Sequence, residues 1–246
     1  MKLMKLAENN RDTDNVIDVL DRDDSYTLSQ REKDRTLYLR FYMMTVWCFF
    51  ITGLIPDYTD DPIEVQTAIR WVFLFLLVVP TALSIRNLGF TWAEIGLTTK
   101  NAKQAIIESL FIFALLIPLL LLAKMLAHEP LAAFFHWGDL ERYSASQLWF
   151  YCVSYLPHTI GQEYVARGVG LAYACRILND YTSIKPVVIV SIIFAAFHVH
   201  LSLSIALAIF VSSLLFGVVY RRHGTLIGVC LLHFLLGITA TALGLI

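Results

Sequence analysis

The stretch QAIIESLFIFALLIPLLLLAK, residues 104–124, decides the fold. Between Glu108 and Lys124 it carries no formal charge. At a rise of about 1.5 Å per residue, a helix of this length crosses the ~30 Å hydrocarbon core of a bilayer. Working outward, stretches of similar character fall at 37–55, 70–86, 147–166, 186–201, 203–220 and 225–246. The expected architecture is an all-α integral membrane protein with about seven transmembrane helices, the fourth continuing past residue 170. Pro80, Pro118 and Pro157 lie inside spans, where neighbouring helices satisfy the freed carbonyls.

Composition agrees. Only 16% of the 246 residues are charged, and mean hydropathy is +0.64. A soluble domain carries roughly a quarter charged residues, so this chain has too few to coat a water-facing surface. A net charge of -1 argues against nucleic acid as a partner, because phosphate binding needs concentrated Lys and Arg. The four cysteines, Cys48, Cys152, Cys175 and Cys230, sit in apolar segments without a CxxC pair and read as small buried hydrophobes.

Residues 1–36 form a polar cytosolic tail of mixed charge, without an apolar core long enough for a signal peptide. Residues 37–246 form the membrane domain. Arg31, Lys33, Arg35 and Arg40 precede the first span, whereas 56–69 holds four acidic residues and no Lys or Arg. Arg86, Lys100 and Lys103, then Arg176 and Lys185, then Arg221 and Arg222 mark alternate loops. This alternation predicts a bacterial inner-membrane protein with its N-terminus in the cytoplasm and its C-terminus outside. Gly224 and Gly228 have a GxxxG-like spacing that suits packing within the chain or between subunits.

Ionisable groups inside hydrocarbon cost several kcal/mol, so each is a functional candidate. Glu163 and Arg167 are four apart on one helix face; they read either as an ion pair that pins the helix or as part of a site. His158 and Gln162, on an adjacent stripe, would bond to each other or line a cavity. His198 and His200 follow Phe194 on the fifth span; on a helix they would point about 200° apart, with His200 near the interface. His233, among apolar neighbours, needs a partner on another helix. His223 beside Arg221 and Arg222 reads as a solvated inner-loop residue, and His128 and His136 as solvated outer-loop residues.

One Glu and two or three His on separate spans suit two chemistries. A carboxylate and an imidazole polarise water for peptide hydrolysis, with a further imidazole at the oxyanion. Alternatively Glu163, His198 and His233 hold zinc with an open position. There is no HExxH, GxSxG or Walker motif. The first chemistry needs no cofactor.

In this order and spacing the clusters resemble the CPBP family (CAAX protease and bacteriocin-processing, also Abi or type II CAAX prenyl endopeptidase-like). Its EExxxR-Gly motif is matched by Gln162-Glu163-Tyr-Val-Ala-Arg167-Gly168, and its FxxxH motif by Phe194 to His198. Its His followed four residues later by Asn or Asp is matched by His233 but ends on Gly237. Phe216-Gly217-Val-Val-Tyr220, Gly224-Thr-Leu-Ile and Ile95-Gly96-Leu97-Thr98 also look like the family, so the likeness spans about 80–246. The resemblance implies a glutamate-dependent intramembrane endopeptidase. The first Glu of the pair and the FxxxH histidine would activate water, the last His and its Asn would stabilise the oxyanion, and the second Glu and the Arg would support the architecture. Here Gln162 stands at the first Glu, and an amide takes no proton from water at neutral pH. Glu163 is the carboxylate left to act as base.

Three readings follow. The first is an endopeptidase acting on a membrane-associated peptide or protein, with Gln162, Glu163, Arg167, His198 and His233 as its catalytic set and His158, Phe194, His200 and Gly237 lining the pocket. The second is an inactive relative that binds a peptide or partner membrane protein as a scaffold or regulator. The third, a small transporter, lacks the inverted repeat and paired broken helices of that class.

Overall fold

The computed structural model describes residues 32–33, 35–47, 50, 62–126 and 144–245. The chain divides into two units, residues 1–42 and 43–246. The described part of the first is helical. His128, His136, Cys48 and almost all of the N-terminal tail lie outside the described residues.

Within the second unit, helix α1 (Ile63–Asn87) and helix α2 (Ala102–Leu126) come first. Then α3 (Ala145–Glu163) passes through a π-helical segment (Tyr164–Gly170) into α4 (Leu171–Leu178). Helices α5 (Lys185–Ala196), α6 (Leu203–His223) and α7 (Leu226–Ala242) complete it. No strand occurs among the described residues. Three helices are long and apolar enough to cross a membrane: Glu64–Ile85, Ala102–Leu126 and Leu203–His223. Pro80, Pro118 and Pro157 lie inside α1, α2 and α3, as expected.

Local sequence explains the helix ends. Ser144 opens α3 with a capping box, its side chain accepting from the Gln147 N–H while Gln147 reaches back to the Ser144 N–H. Ser202 and Thr225 cap α6 and α7 by accepting from the Ile205 and Ile227 N–H groups, and Gly224 ends α6 in the left-handed conformation at φ 67°. Helix α1 starts seven residues before the apolar run at 70, because Glu64, Gln66 and Thr67 still take helical backbone. The fourth helical run does continue past 170, to Leu178, as one interrupted helix.

The fifth span departs from expectation. Helix α5 stops at Ala196 after 12 residues, about 18 Å of rise, and 197–201 form turns. The imidazoles make this possible: His198 Nδ1 lies 2.7 Å from the Phe194 carbonyl and His200 Nδ1 2.8 Å from that of Phe197. Carbonyls at a helix end otherwise lack partners.

The segments Ile95-Gly96-Leu97-Thr98 and Gly224-Thr225-Leu226 dock on each other. Leu226 N–H donates to the Gly96 carbonyl at 3.0 Å, and Thr225 Oγ1 donates to that of Thr98 at 2.6 Å. Gly96, at φ 74°, lies against the Tyr220 ring, where a Cβ would come within 2.5 Å of it. A Cβ on Gly168 would sit 2.9 Å from the Ile95 carbonyl. Gly228 packs on Ala105 of α2, whereas Gly224 has open space around it. The GxxxG-like spacing therefore joins a helix cap to one contact inside the chain.

The same face is tied further by Arg176, which donates to the Leu88 carbonyl and Glu94, and by Arg221, which donates to the carbonyls of Tyr181 and Ser183. His223 is not a solvated loop residue. Its side chain is 9% exposed, and Nε2 lies 2.7 Å from Glu108 Oε2 while Arg222 takes the other oxygen at 2.6 Å. Helix α2 passes close enough to bring an acid to it.

Candidate active site

The site is built around Glu163, the last residue of α3, where regular helix gives way to the π-helical segment. The wider turn is seen in the Leu171 N–H, which reaches back five residues to the Ala166 carbonyl. Such insertions recur at functional sites. The glycines at 168 and 170 give the segment room against the Ile95 and Val165 carbonyls.

Glu163 is fully buried, and Arg167 is 1% exposed. Arg167 Nη1 donates to Glu163 Oε1 at 3.1 Å, the expected ion pair. Its Nη2 donates to the Ser213 hydroxyl at 2.6 Å and to the Ser213 carbonyl at 3.2 Å. The guanidinium also lies over the Phe194 ring at 4.6 Å and the Phe216 ring at 5.3 Å. A buried cation is thus met by a carboxylate, two oxygens and two π faces.

His233 supplies the third element. Its Nδ1 lies 2.6 Å from Glu163 Oε1, so Nδ1–H donates to the carboxylate and Nε2 keeps the lone pair. The ring stacks on Phe216 at 5.2 Å and meets Phe194 edge-on at 6.2 Å. Glu163 Oε2 is buried without a hydrogen-bond partner among the described residues.

His198 also packs against Phe194, ring centroids 4.8 Å apart. A carbonyl only accepts, so His198 Nδ1–H donates to Phe194 and Nε2 is again left open. His200 is not turned away from His198. Because α5 has ended, the two rings stack at 6.3 Å, with His200 on the exposed side.

His158 and Gln162 do not bond to each other. His158 Nδ1 is buried without a partner, and its ring stacks on Tyr155 at 6.4 Å. His158, His198 and His233 lie within electrostatic range of one another. Gln162 is half-buried. Gly237 is buried, and a Cβ there would overlap the Tyr155 hydroxyl.

The fold therefore joins Glu163, Arg167, Phe194, His198 and His233 through direct contacts, and places Gly237 one turn beyond His233. Among the described residues, no three His, Cys, Asp or Glu side chains are grouped as a metal ion requires. Three participants escaped the sequence reading. Ser213 is one of several serines in apolar helices, and nothing local marks it. Tyr155 carries no motif. Arg70, at the start of an apolar run, was visible as a cation at membrane depth; it lies over the Tyr151 ring at 5.6 Å.

Residues 144–239 match the family model described as Type II CAAX prenyl endopeptidase Rce1-like. The match contains Gln162, Glu163, Arg167, His198, His233 and Gly237 and is narrower than the 80–246 span expected. No curated protein and no solved structure matches the chain. Motif order, apolar helices and this match agree: residues 144–239 are similar to an Rce1-like domain, which supports membership of the CPBP family.

Proposed function

We propose that the protein is an intramembrane endopeptidase that hydrolyses a peptide bond in a membrane-associated peptide or protein. The carrying observation is the 2.6 Å contact from His233 Nδ1 to Glu163 Oε1. A carboxylate so placed fixes the imidazole tautomer and stabilises the imidazolium that forms when Nε2 takes a proton. Glu163 Oε1 already accepts from Arg167 as well, so Glu163 acts as the orienting group and His233 as the general base. His198 Nε2 accepts a hydrogen bond from the attacking water. The water proton passes to His233 Nε2 and then to the leaving amine, so one imidazole serves both half-steps. The reading requires no cofactor; the alternating basic loops support a bacterial inner-membrane location with the Arg176–Arg221 face in the cytoplasm.

A second reading has its own observation. Gln162 occupies the place where the family resemblance puts the water-activating carboxylate, and an amide accepts no proton there. On that reading the pocket binds a peptide or partner protein without cutting it. Cleavage of a membrane-embedded peptide library by the purified full chain in liposomes separates the two. Cleavage that falls 10²–10⁴-fold in His233→Ala and His198→Ala supports the peptidase. Folded wild-type protein that leaves every peptide intact supports the binding reading.

A further inference from the structure

The three groups nearest the proposed chemistry, His233 Nε2, His198 Nε2 and Glu163 Oε2, offer acceptors. Hydrolysis also needs a donor, because the substrate carbonyl oxygen becomes negative as water adds. Arg167 does not serve, since its Nη1 and Nη2 are bonded inside the fold and the group is 1% exposed.

We propose that the Tyr155 hydroxyl is the donor to this oxyanion, occupying the space left beside His233 by the absent side chain at Gly237. Position 237 follows His233 by four residues on α7, so a side chain there would lie one turn away on the same face, about 5–6 Å from His233 between Cβ atoms. That space is filled by the phenol oxygen, which would overlap a Cβ on Gly237. The ring is aimed by its neighbours: Tyr151 stacks on it at 5.8 Å, Phe234 packs at 6.0 Å and His158 at 6.4 Å. The Thr159 hydroxyl donates to the Tyr155 main-chain carbonyl at 2.7 Å, one turn along α3. An anionic oxygen is a strong acceptor, so the phenol O–H donates to the oxyanion when it forms.

The step balances. The water oxygen bonds to the carbonyl carbon, the carbonyl π pair moves to oxygen, and the water proton goes to His233 Nε2. Tyr155 donates a hydrogen bond without giving up its proton. Collapse breaks the C–N bond, and the departing amine takes the proton from His233.

This inference rests on the peptidase reading, and the test separates their failures. The full chain in liposomes is given the membrane-embedded peptide library as wild type, Tyr155→Phe, Tyr155→Leu and Tyr155→Leu/Gly237→Asn. Tyr155→Phe is expected to lower kcat by about 10²–10³-fold with KM changed less than about twofold, the signature of a lost oxyanion donor. The double variant, with space for a carboxamide at 237, is expected to regain at least about tenfold over Tyr155→Leu, which also covers a packing defect in the single variants. Wild-type kcat in Tyr155→Phe, or no recovery in the double variant, overturns the role of Tyr155 and leaves the peptidase reading standing. No cleavage by folded wild type overturns both.

Discussion

His233 Nδ1 and Glu163 Oε1, 70 residues apart in the chain, lie 2.6 Å from each other at the junction of α3, the π-helical segment and α7. That oxygen also receives Arg167, so one buried carboxylate holds both a cation and an imidazole. Its removal affects stability and chemistry together, and the two effects are separable by choosing the partner that is changed.

Glu163→Ala leaves the Arg167 guanidinium buried without its counter-charge, and Arg167→Ala leaves the carboxylate in the same position. Each single change is expected to cost about 3–5 kcal/mol. The double variant should lose less than the sum of the two. Denaturant unfolding in detergent, arranged as a double-mutant cycle, measures this; strictly additive losses would show that the pair is not coupled.

Ser213→Ala removes the 2.6 Å hydrogen bond to the same guanidinium but keeps the ion pair. A hydrogen bond to a charged group contributes about 1.5–3 kcal/mol. A fall in unfolding free energy of that size is expected, smaller than for Arg167→Ala; unchanged stability would mean that the Ser213 carbonyl suffices.

Alanine ordinarily favours a helix over glycine by up to about 1 kcal/mol. At Gly168 the sign should reverse, because the added Cβ would lie 2.9 Å from the Ile95 carbonyl, a main-chain atom that cannot rotate away. Gly168→Ala is expected to destabilise by about 1–3 kcal/mol. Thermal unfolding of Gly168→Ala beside Gly170→Ala, whose nearest contact is 3.2 Å, should rank the first as the more damaging.

The loop after α4 gives a pH dependence with a defined sign. The Ser183 hydroxyl, then the N–H groups of Ser183 and Thr182, bond the Asp180 carboxylate and hold its pKa down from 3.8 to about 2. A depressed carboxyl stabilises the fold fully above its ordinary pKa and loses that contribution as pH falls through the folded value. Wild-type melting temperature should therefore drop between about pH 4 and pH 2 by more than that of Asp180→Asn. Parallel curves would remove Asp180 from the acid response.

The sequence alone determined the helical membrane character, because an uncharged run such as 109–123 has few other ways to satisfy its backbone in an apolar medium. It also paired Glu163 with Arg167, since a helix brings residues four apart together. It singled out His198 and His233, each a polar group in an apolar stretch, and Phe194 through the FxxxH motif of the resemblance. Periodicity misplaced the relation of His198 to His200, because the 200° estimate assumes a helix that their own ring nitrogens help to end at Ala196. Only the tertiary structure decided that His233 reaches Glu163, that Ser213 holds Arg167, and that the Tyr155 phenol fills the place of a side chain at Gly237. These contacts join residues 46 to 82 positions apart, and no local pattern encodes which helix face meets which. Packing of whole helices sets that choice, and Gly168, Gly228 and Gly237 mark where the close approaches occur.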